Sequence, residues 1–437
     1  MTIETAPAPT TQPAAHGAGR PVMAAPRVVG LICRNCRKPE ALGPSYVCSA
    51  CFGPLEVAYD KDVVRATVSR ESIEARPPGL WRYLEFLPVD APPTRGLRVG
   101  STPLIEAERL GPSIGIDRLW LKDDTRNPTL SFKDRAVAVA AARARLFGID
   151  TLACASTGNL AGATAGAAAA LGMPAYVFIP ADLEPAKIDH ALAYGATVVP
   201  IEGTYDDVNR LCLEVADETG WGFVNVNLRP FYAEGSKTLA FEIAEGLGWR
   251  SPDVIVAPIA SGAMFTKLAK GFGELADAGL IERRPIRFVG GQAAGCAPVA
   301  IAWEAGTTDV QPVRNPDTIV RSLAIGNPAD GRYSVEQANE SGGSIEAVPD
   351  ETTAAAIRQV AALEGIFSET AGGVTVAAAE AARKRGVIRE GDEVVALLTG
   401  NGLKTPDARL LGLEDGSVAP SIRPSLSAFE SWLESRS

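Results

Sequence analysis

Histidine is almost missing from this chain: only His16 and His190 occur among 437 residues. Ser/His/Asp hydrolysis and His-rich metal catalysis therefore have almost no material to work with. Proton transfer, if the chain performs any, falls to lysine or to carboxylates. Long apolar runs are lacking as well. The Ala-rich stretch from Ala136 is broken by Arg143 and Arg145, and no run reaches the roughly 18 residues of a membrane helix. The first residues lack the charged start and apolar centre of a secretory signal, so a cytoplasmic protein is expected. There is no basic excess either. The formal net charge is −10, which argues against a general nucleic-acid or membrane-surface binder.

Seven cysteines are present, and four of them form two C-x-x-C pairs. Cys33 and Cys36 are followed after eleven residues by Cys48 and Cys51. Two such knuckles on facing hairpin ends can surround one zinc with four thiolates. Four sulfur ligands leave no open position, so the metal would be structural. The alternative is a ribbon that has lost its metal or carries a redox pair. Arg34, Arg37 and Lys38 are balanced by Glu40, Glu56 and Asp60, which leaves no basic face for nucleic acid. Packing or subunit contact is the role read for the ribbon. Cys154, Cys212, Cys296 and His190 are assigned to packing.

The rest of the chain alternates. Short apolar runs at 118–122, 151–155, 175–179, 197–201, 222–225, 254–258, 286–290 and 394–398 read as buried strands, with helical segments between most of them. This predicts α/β architecture with mostly parallel sheets in two open layers. The expected divisions are a disordered tail at 1–29, a ribbon at 30–60, a large domain from 61–145 and 226–420, a smaller α/β domain at 146–225, and a tail at 421–437.

Four places at strand ends attract chemistry. Lys133 follows the 118–122 strand, beside Phe132 and just before a helix, where open α/β sheets usually hold ligands. By position alone it is either a surface lysine of a first helical turn or a ligand-holding amine. The loop Ser156-Thr157-Gly158-Asn159 suits a carboxylate, or is simply a capped helix start. The loop Ala260-Ser261-Gly262-Ala263-Met264 lets backbone N–H groups approach an anion, or marks a helix start with small residues. It is neither G-x-G-x-x-G nor a P-loop, so dinucleotide and ATP chemistry gain little support. Thr399-Gly400-Asn401-Gly402 offers a hydroxyl to a ring nitrogen, or is a glycine-rich turn.

Taken together, Ser131-Phe132-Lys133-Asp134-Arg135, Ser156-Thr157-Gly158-Asn159, Ser261-Gly262, Ala324-Ile325-Gly326-Asn327-Pro328, Glu369-Thr370-Ala371-Gly372-Gly373 and Thr399-Gly400-Asn401-Gly402 resemble, in order, the threonine synthase family. That family belongs to the fold type II, tryptophan-synthase-β-like, pyridoxal-phosphate enzymes. The likeness runs from the cysteine ribbon to about Pro406. It implies that Lys133 is the Schiff-base lysine and shuttling acid/base, and that Asn159 meets the phenolic oxygen of the cofactor. It implies that residues 260–264 cradle the cofactor phosphate and that Thr399 partners the pyridine nitrogen, with Phe132 beside the ring. Ser156 and Thr157 would hold the substrate α-carboxylate. Asn227, Arg229 and Lys237 would gather around the substrate phosphate. The chain departs from the common pattern at Leu130, Leu160, Gly162, Ala263 and Met264.

The resemblance implies conversion of O-phospho-L-homoserine and water to L-threonine and phosphate, with pyridoxal 5'-phosphate and a structural zinc, in a homodimer. The partner is a small phosphorylated amino acid, with no nucleic acid and no membrane. Rival readings are another β- or γ-replacement or elimination enzyme of the same fold (cysteate-synthase-like, threonine-dehydratase-like or a tailoring enzyme), or a zinc-ribbon scaffold with an inactive fold.

Overall fold

The computed structural model describes residues 27–156, 158–181, 185–203, 205–405 and 421–435. An antiparallel ribbon comes first: β1 (Val28–Cys33), β2 (Pro39–Glu40) and β3 (Leu55–Tyr59), with β1 in the centre. Its first strand starts within the segment expected as a tail, because Val28 is buried and pairs with Tyr59 of β3. The part of that tail before residue 27 lies outside the described residues.

Next come β4 (Leu104–Glu106) and β5 (Arg118–Asp123), which pair antiparallel. The chain then builds a separate parallel sheet from β6 (Leu152–Ala155), β7 (Ala175–Pro180), β8 (Thr197–Ile201) and β9 (Gly222–Phe223), in the order β8-β7-β6-β9. It returns to the first sheet with β10 (Val254–Pro258), β11 (Arg287–Ala293), β12 (Ser344–Val348) and β13 (Glu393–Leu398). The six-stranded order is β12-β11-β10-β13-β5-β4, parallel except for the β4 edge.

The strands are legible because both faces are covered. All five residues of β10 and all six of β13 are buried, so each reads as an unbroken apolar run. Each fully buried Val or Leu side chain there contributes about 1.5–3 kcal/mol. β12 is not among the expected strands. Its sequence, Ser-Ile-Glu-Ala-Val, places Glu346 inside, where Arg385 reaches it at 3.3 Å. A charge in the middle of a strand hides the pattern.

The helix Lys133–Leu146 packs against the helix Arg229–Ser236 at very close range. Gly235 makes this approach: a Cβ there would meet the Arg135 carbonyl at 2.2 Å. Beneath it lies an ion network. Arg135, fully buried, bonds Asp124 at 2.7 Å and Glu242 at 2.6 Å, and Lys122 bonds Glu242 at 2.7 Å. At the far end, in the segment expected as a tail with a final helical turn at Phe429 and Trp432, lies the helix Leu426–Glu434, capped by the Ser425 side chain.

Candidate active site

A cavity of about 600 Å³ opens at the carboxyl ends of the parallel strands, between the two sheets. This is where open α/β sheets bind ligands. Three chain segments are zipped together at its floor. Phe132 N–H donates to the Thr399 carbonyl at 2.9 Å, Asn401 N–H to the Leu130 carbonyl at 3.0 Å, and Glu369 N–H to the Gly400 carbonyl at 2.8 Å. Lys133, Thr399 and Glu369 therefore share one platform, and all three line the cavity. Leu130 takes φ +64° in this zipper. Glycine adopts such backbone without cost, so Leu130 departs from the family pattern at a position where its side chain is strained, and nothing in the structure explains the leucine.

Lys133 lies 4.8 Å from the Phe132 ring centroid and donates to the Tyr232 hydroxyl at 2.7 Å. Asn159 opens the helix Asn159–Leu171 after β6. Its Nδ2 donates to both carboxylate oxygens of Glu369 at 2.9 Å, and its Oδ1 accepts from Lys404 at 3.0 Å. Burial pushes the Glu369 carboxyl above its ordinary range, against the Asn159 bonds and the nearby lysines. Burial likewise holds the Lys404 amine below its own range, against the attraction of Glu369. Ser156 lines the cavity and also accepts from Gly158 and Ala161 N–H, at 3.2 and 3.0 Å, so it caps that helix.

Ala260, Ser261, Gly262, Ala263 and Met264 form one wall. The helix Ala263–Asp277 begins there, and its first N–H groups have no intrahelical partner. Gly262 has φ +90°, and a Cβ on it would meet Ser334 Oγ at 2.5 Å and the Asp330 carbonyl at 2.8 Å. The turn thus presents backbone donors and a positive helix end with no side chain in the way, as a phosphate requires. Thr399 is 3% exposed, and no side chain among the described residues engages its hydroxyl. A lysine amine, an amide, a backbone anion cradle and an uncommitted hydroxyl face one cavity, which fits pyridoxal phosphate.

The three residues expected at a substrate phosphate do not join them. Lys237 is fully buried, paired with Glu234 and, at 2.8 Å, with Glu274, and packed 4.2 Å from the Tyr59 ring. Arg229 pairs with Asp330 at 2.6 Å. Asn227 accepts from Phe223 N–H and donates to the Trp221 carbonyl, both at 2.8 Å, holding a turn. The cavity's guanidinium, among the described residues, is instead Arg321 on the 313–327 loop. Thr157 lies outside the described residues.

Tyr232, Arg321 and Lys404 escaped the sequence reading. Tyr232 and Arg321 sit in no glycine loop, and Lys404, which closes the turn after Gly402, carries no local mark of its contact with Asn159. Glu369 had a signal, a carboxylate heading a small-residue helix, but its contact with Asn159 spans 210 positions.

In the ribbon, the four cysteine sulfurs lie within 4.8 Å of one another. Cys33 and Cys51 are 3.5 Å apart, and Cys36 and Cys48 are 3.6 Å apart. Zinc–thiolate bonds of about 2.3 Å in a tetrahedron need sulfurs about 3.8 Å apart, so the cluster suits one metal ion.

The sheet order and the cavity define a fold type II pyridoxal-phosphate enzyme. The chain belongs to the pyridoxal-phosphate-dependent enzyme family, whose profile matches residues 96–400. Within that family its relatives include threonine synthases. The one from Methanocaldococcus jannaschii is 35% identical over 385 residues, which is 88% of this chain and 95% of that protein. The one from Methanosarcina acetivorans is 36% identical over 374 residues, 85% and 91% of the two chains. Among solved structures, a T.th. threonine deaminase superposes with a TM-score of 0.58 at 24% identity, covering 77% of this chain and 98% of that one. An Escherichia coli diaminopropionate ammonia lyase gives 0.60 at 19%, covering 78% and 92%. These two likenesses bear on the fold alone. No helix among the described residues is long and apolar enough to cross a membrane.

Proposed function

We propose that this chain is a threonine synthase, converting O-phospho-L-homoserine and water to L-threonine and phosphate. The observation that carries the reading is Lys133 in one cavity with the 260–264 cradle, Asn159 and Thr399, in a chain related to threonine synthases over most of its length. When bound, pyridoxal phosphate supplies an electron sink for the substrate carbons. The protein's own groups do the remainder. Lys133 binds the cofactor and then moves protons at Cα and Cβ, which explains how two histidines suffice. The 260–264 amides hold the cofactor phosphate, and Thr399 and Asn159 orient the ring. Ser156 and Thr157 hold the substrate carboxylate. The cysteine ribbon holds one structural zinc, and elemental analysis should find one per chain.

One observation favours a second reading. With Lys237, Arg229 and Asn227 engaged elsewhere, the cavity offers a leaving phosphate one guanidinium, Arg321, among the described residues. A related elimination or replacement on a less highly charged amino acid would need no more than that. Incubation with O-phosphohomoserine separates the two. Equal amounts of phosphate and threonine support the synthase, whereas deamination of serine or threonine without that reaction supports the second reading.

A further inference from the structure

We propose that Tyr232 is the positioning residue and proton partner of Lys133; the inference rests on Lys133 being the cofactor-binding amine. Tyr232 lies in the helix Arg229–Ser236, which has Pro230 in its first turn and is tied down by the Tyr232 N–H bond to the Leu228 carbonyl at 2.9 Å. The residue is 7% exposed and lines the cavity. Its hydroxyl accepts the 2.7 Å bond from Lys133 Nζ, and its ring centroid is 5.4 Å from that atom. No other side chain among the described residues engages this hydroxyl.

The pairing is chemically specific. An ammonium can only donate, whereas a phenol both donates and accepts. The bond therefore holds in either state of the lysine: the ammonium donates to Oη, and the neutral amine accepts from the phenol O–H. To join the cofactor aldehyde, Nζ must be neutral. The N–C bond then forms, and one water leaves. The surplus ammonium proton passes to Oη as the phenol's own proton departs to water in the cavity, leaving tyrosine unchanged. Because one proton enters Oη as another leaves it, the phenol relays the proton without changing its own charge. Among the described residues, Glu369 across the cavity, Lys404 behind Asn159 and Arg321 on the wall are the other charged groups around this space. None is bonded to Lys133.

The test replaces Tyr232 by Phe, which keeps the ring and removes the hydroxyl. Native and variant proteins, freed of cofactor, are mixed rapidly with pyridoxal phosphate, and the rise in visible absorbance is followed. The variant should reach the native amplitude about tenfold or more slowly, and its kcat should fall by a similar factor with KM nearly unchanged. Native rates in the variant overturn the proposal. So does a rise in KM alone, which would make Tyr232 a substrate contact. A second variant carrying 3,5-difluorotyrosine at position 232 keeps the packing and changes the acidity of the phenol. Its rate of absorbance rise must differ from native by about threefold or more, and an unchanged rate overturns the proposal even if Tyr232→Phe does not fold. A native protein that never develops the absorbance contradicts the reading of Lys133 itself, which is a distinct failure.

Discussion

Arg34, which lies between Cys33 and Cys36 of the ribbon, bonds Asp330 at 2.8 Å, and the Asp330 main-chain N–H donates to the Ser261 carbonyl at 2.8 Å. Arg34 also stacks 3.7 Å over the Tyr333 ring. The ribbon is thus two bonds from the anion cradle. Arg34→Ala should cost about 1.5–3 kcal/mol in chemical unfolding, the usual loss of a hydrogen bond to a charged group. Cofactor affinity, measured by absorbance titration, should fall with it. Unchanged affinity would show that the ribbon is mechanically separate from the site.

Gly262→Ala tests the cradle. The new Cβ would occupy a backbone at φ +90° and press on Ser334 Oγ and the Asp330 carbonyl. A strained residue of this kind costs about 1–3 kcal/mol. The expected result is a lower Tm and at least about tenfold weaker cofactor binding, since about 1.4 kcal/mol is a factor of ten.

Much of this was legible in the sequence, for a physical reason. Strands buried on both faces, such as β10 and β13, are continuous apolar runs, and the loops after them carry the small residues that anion binding needs. What depends on long-range packing was not legible. Tyr232 meets Lys133 across 99 positions. The resemblance assigned Lys237 to a substrate phosphate, yet it lies inside an ion cluster whose carboxylates come from Glu234 and Glu274. Nothing local distinguishes a lysine that neutralises a buried carboxylate from one that awaits a phosphate.

The buried ion network should prove costly to break. Arg135→Met would leave Asp124 and Glu242 facing each other without their shared guanidinium. Removing one partner of a buried pair typically costs about 3–5 kcal/mol. Denaturant unfolding should show a loss of that size. Asp124→Asn in the same background should restore part of it, because Glu242 keeps Lys122 at 2.7 Å whereas Asp124 loses the guanidinium that pairs with it.

Acid should loosen the ribbon before the core. Lys267 holds Glu56 at 3.1 Å, and Lys270 lies 3.7 Å away. Burial alone would raise the Glu56 carboxyl, but the two lysines outweigh it and bring the carboxyl from 4.5 down to about 2. A carboxylate depressed in the folded state stabilises the fold above its unfolded value and loses that contribution as pH falls through the folded one. The contribution, on the order of 2 kcal/mol, should therefore be present above about pH 4.5 and fade toward about pH 2. Glu56→Gln should flatten stability measured over that window.

The central claim is that Lys133 holds pyridoxal phosphate covalently. The direct measurement is the visible spectrum of native and Lys133→Ala proteins after loading with the cofactor and removal of the excess. The native chain should keep a lysine-dependent visible absorbance that shifts when O-phosphohomoserine is added. Lys133→Ala should lose that absorbance and all turnover. A Lys133→Ala protein with the native spectrum and native activity would contradict the account.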